Sequence, residues 1–266
     1  MTVRVEKNGA VTTVIHSRAE ARNAMDPRSA DELTAAFLAF DADSSASVAV
    51  FWGEGGAFCA GWDLKRAATL ADQEDPLAEF DFAPDNQPSP RGPMGPSRLV
   101  LTKPVIAAVA GPAVAGGFEL ALWCDLRVME QSAYFGVYCR RWGVPLIDGG
   151  TVRLPRLVGE GRALDIILTG RKVPAEEALR IGACERVVAD GTSRAAAESL
   201  AAQIARFPQM CVRADRRSVF LQHGLSEADA LRSEWANSKA VLKAEGLTGA
   251  ARFSAGRGRH GQFDSN

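Results

Sequence analysis

Apolar positions change their spacing several times along the chain, and each change marks an element. Val3–Val5 and Val11–Ile15 are rich in β-branched residues and flank Asn8-Gly9, which predicts a β-hairpin. From Pro27 to about Asp41 the apolar period lengthens, and Leu33, Phe37 and Phe40 fall on one helical face. Asp26 stands at the N-cap of that helix and Pro27 at its first position. Val48–Trp52 is a nearly continuous apolar run, the pattern of a strand buried on both faces. A glycine-rich loop, Gly53–Gly61, follows it. Val105–Val109 repeats the buried-strand pattern. It leads through Gly111-Pro112 and Gly116-Gly117 into an apolar helix ending near Trp123, and Leu126–Met129 is the next strand. This order predicts a core of stacked β/α units. Residues 68–96 break the pattern. They are acidic and rich in proline (Pro76, Pro84, Pro88, Pro90, Pro93, Pro96) and read as a mobile surface loop inside the domain.

After Gly159 the pattern is mainly helical. The predicted helices are Arg162–Leu168, Ala175–Ile181, Ser193–Ala205, Met210–His223 and Ser226–Glu245, with one short strand near Glu185–Val188. Ser226 suits the N-cap of the last helix. The expected division is a β/α core over residues 1–200 and a helical region over 201–266.

Composition removes several function classes. With 266 residues, 47% hydrophobic and 24% charged, the chain is long enough for one large core. A net charge of −1 provides no basic field for a phosphate backbone, so nucleic acid is not an expected partner. Apolar runs such as Val105–Ala110 are too short to span a bilayer, and no membrane association is expected. Met1–Gly9 is charged and lacks a signal-peptide core, so a cytoplasmic location is expected. Cys59, Cys124, Cys139, Cys184 and Cys211 are odd in number and scattered, unlike a disulfide framework or a CxxC site. His16, His223 and His260 lie far apart, so no metal centre is expected. Neither GxxxxGK nor GxSxG occurs. The single GxGxxG, Gly256–Gly261, follows no strand and reads as a tail, which disfavours a nicotinamide-dependent oxidoreductase.

Two segments remain that carry chemistry. Phe58–Lys65 and Val114–Glu119 each follow a buried strand and open a helical turn. In the first, Asp63 can cap the turn, leaving N–H groups near Trp62 unpaired. In the second, Gly116-Gly117 lets a ligand approach the backbone, and the start of the helix favours negative charge. Either segment alone is also what ordinary turn geometry produces.

Together with their surroundings, these segments resemble the enoyl-CoA hydratase/isomerase family, the crotonase superfamily. The matching residues are Arg22–Met25, Ala57–Lys65, Lys103–Val109, Gly116–Ala121, Cys124-Asp125, Phe135-Gly136, Gly149–Thr151 and Arg153–Pro155. The resemblance implies a crotonase-like (ClpP/crotonase) α/β fold, a spiral of ββα units with a helical C-terminal region used in trimerisation. It implies a homotrimer, or a hexamer made of two trimers. It implies a lyase-type enoyl-CoA hydratase of fatty acid metabolism, or a double-bond isomerase, with an acyl-CoA thioester as substrate and no separate cofactor. By position, the N–H groups of Trp62 and Gly116 would form an oxyanion hole. Arg22, Ala24, Ala60, Lys65 and Gly117 would hold the CoA moiety, though Arg22 and Lys65 also read as solvated surface charges.

Hydratases of this family move water and a proton with two glutamates. The first falls on Glu119, whose alternative role is to complement its helix N-terminus. The second position holds Cys139, and a thiol titrates differently from a carboxylate. Cys139 and Trp142 then read as acyl-pocket residues. Asp148 matches the functional aspartate of dienoyl-CoA isomerases and of an aryl-CoA dehalogenase, with capping of a helix near Gly150 as its alternative. Arg140 and Arg141 are candidates for tuning a nearby carboxylate. The Cys139 departure leaves two alternatives to a hydratase open, an isomerase needing one base or an acyl-CoA-binding homologue without catalysis.

Overall fold

The computed structural model describes residues 1–257 except 71, 83 and 85–88. β1 (Val3–Asn8) and β2 (Val11–His16) form an antiparallel hairpin that turns at Gly9, where φ is +56°. α1 (Pro27–Ala42) starts at Asp26, whose side chain accepts the Ser29 N–H at 2.8 Å, and it buries Leu33, Phe37 and Phe40. β3 (Val48–Gly53), the short α2 (Leu64–Ala67) and β4 (Val105–Val109) follow. Next come β5 (Pro112–Val114), α3 (Gly116–Trp123), β6 (Leu126–Glu130) and β7 (Tyr134–Gly136). α4 (Gly150–Val158), α5 (Glu160–Thr169), β8 (Lys172–Pro174), α6 (Ala175–Ile181) and β9 (Arg186–Val188) complete this part, and α7 (Ser193–Ala205) leads out of it.

Among the described residues, the larger sheet has the order β1-β2-β3-β4-β6-β9 and is parallel from β2 onward. Its central strands carry apolar residues at consecutive positions because both faces are covered. A smaller sheet, β5-β7-β8, lies beside it. Its strands span only three residues each, too few to show a period, and the sequence pattern does not predict them. Long strand, short strand and helix therefore recur, as in β4–β5–α3. After β3 the short-strand place is taken by Cys59–Trp62, through the parallel bridges Cys59↔Ala113 and Met25↔Trp62. The two glycine segments thus belong to successive turns of one spiral, which makes them neighbours.

Aromatic rings fill the space between α1 and the sheet. Phe37 meets Phe51 edge-on at 5.5 Å and Trp123 at 4.9 Å, and Phe51 meets Phe58 at 5.0 Å. The chain divides into two compact units at Ala202/Gln203. The second contains α8 (Gln209–Leu221), α9 (Glu227–Val241), a π turn over Leu242–Gly246 and α10 (Leu247–Ser254). Ser226 caps α9 by accepting the Asp229 N–H at 3.2 Å. Asn237 donates to the Ala214 carbonyl at 2.7 Å, tying α9 to α8. Among the described residues no helix is long and apolar enough to cross a membrane. His260 and most of the GxGxxG stretch lie outside the described residues.

The expectation of a surface loop over residues 68–96 needs correction at its end. Gly92–Ser97 is buried. Gly92 and Gly95 exchange backbone hydrogen bonds of 3.1 and 2.9 Å, so this turn satisfies its own polar groups and can leave water. Gly95, at φ +78°, packs directly on the Ala30 backbone.

His16, at the end of β2, is fully buried, and neither ring nitrogen has a partner among the described residues. Burial, and secondarily the Arg18 charge, lowers its pKa to about 4. As pH falls from 6.5 to 4 the unfolded chain takes up this proton first, so stability present above pH 6.5 is lost across that window. The loss is about 3 kcal/mol. A His16→Leu variant has no such proton to take up. Its unfolding free energy, measured against the wild type in urea, is expected to improve by about that amount between pH 7.5 and pH 4. A pH-independent difference would refute this assignment.

Candidate functional site

The two spiral turns place their glycine segments side by side. Phe58 N–H donates to the Pro112 carbonyl at 3.0 Å, and Val114 N–H donates to the Cys59 carbonyl at 3.0 Å. Gly117 makes that closeness possible: a Cβ there would overlap the Cys59 carbonyl oxygen and lie 2.7 Å from its carbon. Gly117 is therefore packed against the first segment. Ala115 joins β5 to α3 with φ +53° and ψ −126°, a conformation that costs an alanine about 1–3 kcal/mol. Its own N–H is used by the Gly136 carbonyl at 2.8 Å. That bond and the helix behind it hold the strained turn in place.

Met25 N–H donates to the Gly61 carbonyl at 2.7 Å, and Asp63 N–H donates to the Met25 carbonyl at 2.8 Å. The intervening Trp62 N–H therefore points away from Met25, as alternation along an extended chain requires. Gly116 is the first residue of α3, where no intrahelical acceptor exists. Among the described residues neither Trp62 N–H nor Gly116 N–H has a protein acceptor. Both residues line one cleft, together with Ala60 and Glu119.

Glu119, in the first turn of α3, is 2% exposed. Its Oε1 accepts Asp148 N–H at 2.9 Å and Gly150 N–H at 2.8 Å. It thus serves the N-terminus of α4, whereas the alternative role read from the sequence is to serve its own helix. Burial pushes its carboxyl up to about 7. The Gly150 N–H opposes this and the Asp148 charge adds to it.

Asp148 is 3% exposed and lines the same cleft. Its alternative role, capping α4, is not the one it takes. Gly149 occupies the N-cap, and the Asp148 side chain turns the other way, accepting from Ser97 Oγ and from Met94 N–H at 3.1 Å. Burial pushes its carboxyl above the usual range, against the pull of the Ser97 donor. Cys139 lies in a 3₁₀ turn, Tyr138–Trp142, and also lines the cleft. Burial, then the Glu119 charge, raises its pKa. Trp142 is at the rim, 71% exposed.

Arg140 and Arg141 do not tune these carboxyls by pairing. Arg140 Nε donates to the Ile167 carbonyl at 2.5 Å, and Arg141 stacks on the Tyr138 ring at 4.1 Å. The cations that oppose the upward shifts are Arg98, whose charge acts on Asp148, and Arg153, whose charge acts on both Asp148 and Glu119. Arg153 is visible in the sequence only as part of the Arg153-Leu154-Pro155 match. Ser97 and Met94 carry no sequence signal, because they come from a turn whose composition resembles surface.

At the other edge, Arg22 and Asn23 both adopt positive φ, +52° and +56°. Asn23 is buried and donates to the Glu54 and Ala57 carbonyls at 2.8 and 2.7 Å, while its Oδ1 accepts Arg18 N–H at 2.7 Å. This frees Arg22 to point into solvent and fixes its carbonyl on Ala60 N–H at 3.0 Å. The Ala24 carbonyl accepts Arg18 Nη1 at 2.7 Å, and Lys65 is exposed above the Asp63 cap. Among the described residues no cluster of His, Cys, Asp or Glu could hold a metal ion.

Comparison with known proteins adds a second, independent line. A family model described as enoyl-CoA hydratase/isomerase matches residues 6–253. The chain is 35% identical over 235 residues to the enoyl-CoA hydratase EchA19 of Mycobacterium tuberculosis, covering 86% of this chain and 84% of that one. It is 38% identical over 214 residues to the carnitinyl-CoA dehydratase of Salmonella arizonae, covering 80% and 77%. Its structure is similar to a crystal structure of enoyl-CoA hydratase from Mycobacterium tuberculosis H37Rv, with a TM-score of 0.85, 31% identity and 96% of each chain covered. An enoyl-CoA hydratase structure from Bacillus anthracis has a TM-score of 0.85 at 28% identity, with 97% of each chain covered.

Proposed function

The chain belongs to the enoyl-CoA hydratase/isomerase family and has the crotonase fold, and on that premise we propose an acyl-CoA enzyme whose chemistry runs through a thioester enolate. The carrying observation is the meeting, in one cleft, of two unpaired backbone N–H groups with two buried carboxyls. The Trp62 and Gly116 amides hold the thioester oxygen as it gains charge. Each such donor lowers the barrier by roughly 3 kcal/mol, and neither titrates. Glu119, poised near neutral pH by burial, gives or takes the proton, and Asp148 is the second proton-moving group. Arg22, Ala24, Ala60 and Lys65 line the edge assigned to the CoA moiety, and Gly117 supports it from beneath. Cys139 and Trp142 border the acyl group. The coenzyme A thioester is substrate, and no further cofactor enters the reaction.

The names of two relatives support addition or removal of water at an acyl-CoA. Cys139 in place of a second carboxylate favours the other reading, double-bond isomerisation, because moving one proton out and back needs fewer groups than positioning a water. Turnover of 2-enoyl-CoA and 3-enoyl-CoA separates them. Hydration of the first with no use of the second supports the hydratase, and interconversion of the two supports the isomerase. Calorimetric binding of acyl-CoA without turnover of either would leave a non-catalytic homologue and overturn both.

The proposed assembly is a homotrimer or a hexamer of two trimers. Exposed Phe220, Leu231, Trp235 and Phe253 on the C-terminal helices support it, since such apolar surface is suited to burial against further copies. A monomer mass by light scattering would refute it.

A further inference from the structure

We propose that Ser97 is the positioning residue of Asp148, fixing which carboxylate oxygen faces the substrate; this rests on the reading of Asp148 as a proton-moving group. The two residues are 51 positions apart in the chain, yet they are joined at two levels. At the side chains, Ser97 Oγ donates to Asp148 Oδ1, and the Met94 N–H donates to the same oxygen at 3.1 Å. At the backbones, the Arg153 guanidinium forks between them, Nη1 on the Asp148 carbonyl at 2.8 Å and Nη2 on the Ser97 carbonyl at 2.7 Å. Both Ser97 and Asp148 are almost completely buried.

The surrounding turn is shaped for this contact. Gly92 lies against it with no room for a side chain: a Cβ there would overlap both Ser97 Oγ and Asp148 Oδ1. The mutual Gly92–Gly95 hydrogen bonds close the turn, and Gly95 anchors it on α1 at Ala30. The Met94 side chain packs against Gly116 on the side a Cβ would occupy, so the same turn that holds Asp148 also borders Gly116.

The consequence for chemistry is an asymmetric carboxylate. Oδ1 is occupied by two donors, whereas Oδ2 has no protein donor among the described residues, and Asp148 lines the cleft. A proton taken from substrate therefore lands on Oδ2. Ser97 itself does not touch the substrate. It favours the ionised form of a carboxyl whose pKa burial raises, and it prevents rotation that would exchange the two oxygens.

The test is a pH titration of the Asp148 side-chain carboxyl by ¹³C NMR in the full chain, in the wild type and in Ser97→Ala. Loss of the hydroxyl donor is expected to raise the Asp148 midpoint by about one pH unit. Ser193→Ala removes an equally buried serine hydroxyl, one bonded to Glu130, and is expected to leave that midpoint in place. In turnover, Ser97→Ala is expected to lower kcat about tenfold with little change in KM, and to add nothing further in an Asp148→Asn background. An unmoved Asp148 midpoint overturns the proposal whatever the turnover. A moved midpoint in an enzyme whose Asp148→Asn form is fully active upholds the Ser97–Asp148 link and removes Asp148 from the proton-transfer reading instead.

Discussion

Replacing Glu119 with glutamine is expected to lower turnover by about 10²–10⁴-fold and, above neutral pH, to make the chain harder to unfold. Both effects come from one burial. The folded-state pKa of Glu119, about 7, stands above its ordinary 4.5. The folded chain therefore holds this proton more tightly than the unfolded chain does. Its contribution to stability is complete below pH 4.5 and is lost as pH rises to about 7, a change of about 3 kcal/mol. Glutamine keeps an oxygen for the Asp148 and Gly150 N–H donors and carries no charge to desolvate. The variant is thus expected to gain up to about 3 kcal/mol over the wild type at pH 8.5 and nearly nothing at pH 4.5. Urea unfolding at the two pH values measures this, alongside turnover. A variant that is less stable at pH 8.5, or one that retains wild-type kcat, would sink the assignment. The His16 contribution runs in the opposite direction over nearly the same window, so these two contributions offset one another in the wild type. Each single variant uncovers the slope of the other group.

Alanine at Gly117 is expected to be far more damaging to the fold than alanine at Gly116, although the residues are adjacent. The Cβ added at Gly117 meets Cys59 first, overlapping its carbonyl oxygen and lying 2.7 and 2.8 Å from its carbonyl carbon and Cβ. Backbone cannot rotate aside, so the Cys59–Trp62 segment must move away from α3. The expected cost is about 3 kcal/mol of stability. Displacing the Trp62 amide relative to Gly116 by even about 1 Å is expected to lower turnover a further 10²-fold. The Cβ added at Gly116 meets the flexible side chain of Met94 first, overlapping Sδ and lying 2.7 Å from Cγ. Met94 can swing, but the space it has is the cleft. Gly116→Ala is expected to unfold near the wild-type midpoint while losing activity. Equal loss of stability in both variants, followed by thermal unfolding, would contradict this geometry.

Much of the fold is legible in the residue pattern. The hairpin around Asn8-Gly9, the Asp26 cap of α1, and the buried strands β3 and β4 all depend on interactions within a few residues, and propensity and period report those directly. The two glycine segments are legible for a related reason. A close approach of two backbones excludes side chains, so the requirement is written as glycine at the position itself. The smaller sheet is not legible, because three-residue strands carry no period and are stabilised by partners elsewhere in the chain.

At the site the boundary is sharper. Sequence by itself determined that Trp62, Gly116, Glu119 and Asp148 are candidates, that a thiol stands at Cys139, and which family the motifs resemble. Tertiary structure alone decided which donors the carboxyls accept. Glu119 takes N–H donors from residues 29 and 31 positions away, and Asp148 takes its donors from a turn whose composition resembles surface. Asp148 is not needed as a cap because Glu119 already accepts the Gly150 N–H that opens α4. A carboxyl pKa depends on how completely water is excluded and which donors remain, and both are properties of the packed chain. The half of the cleft proposed to hold an oxyanion is built from backbone and could be pointed to from residue types, whereas the half proposed to move protons depends on burial and could not.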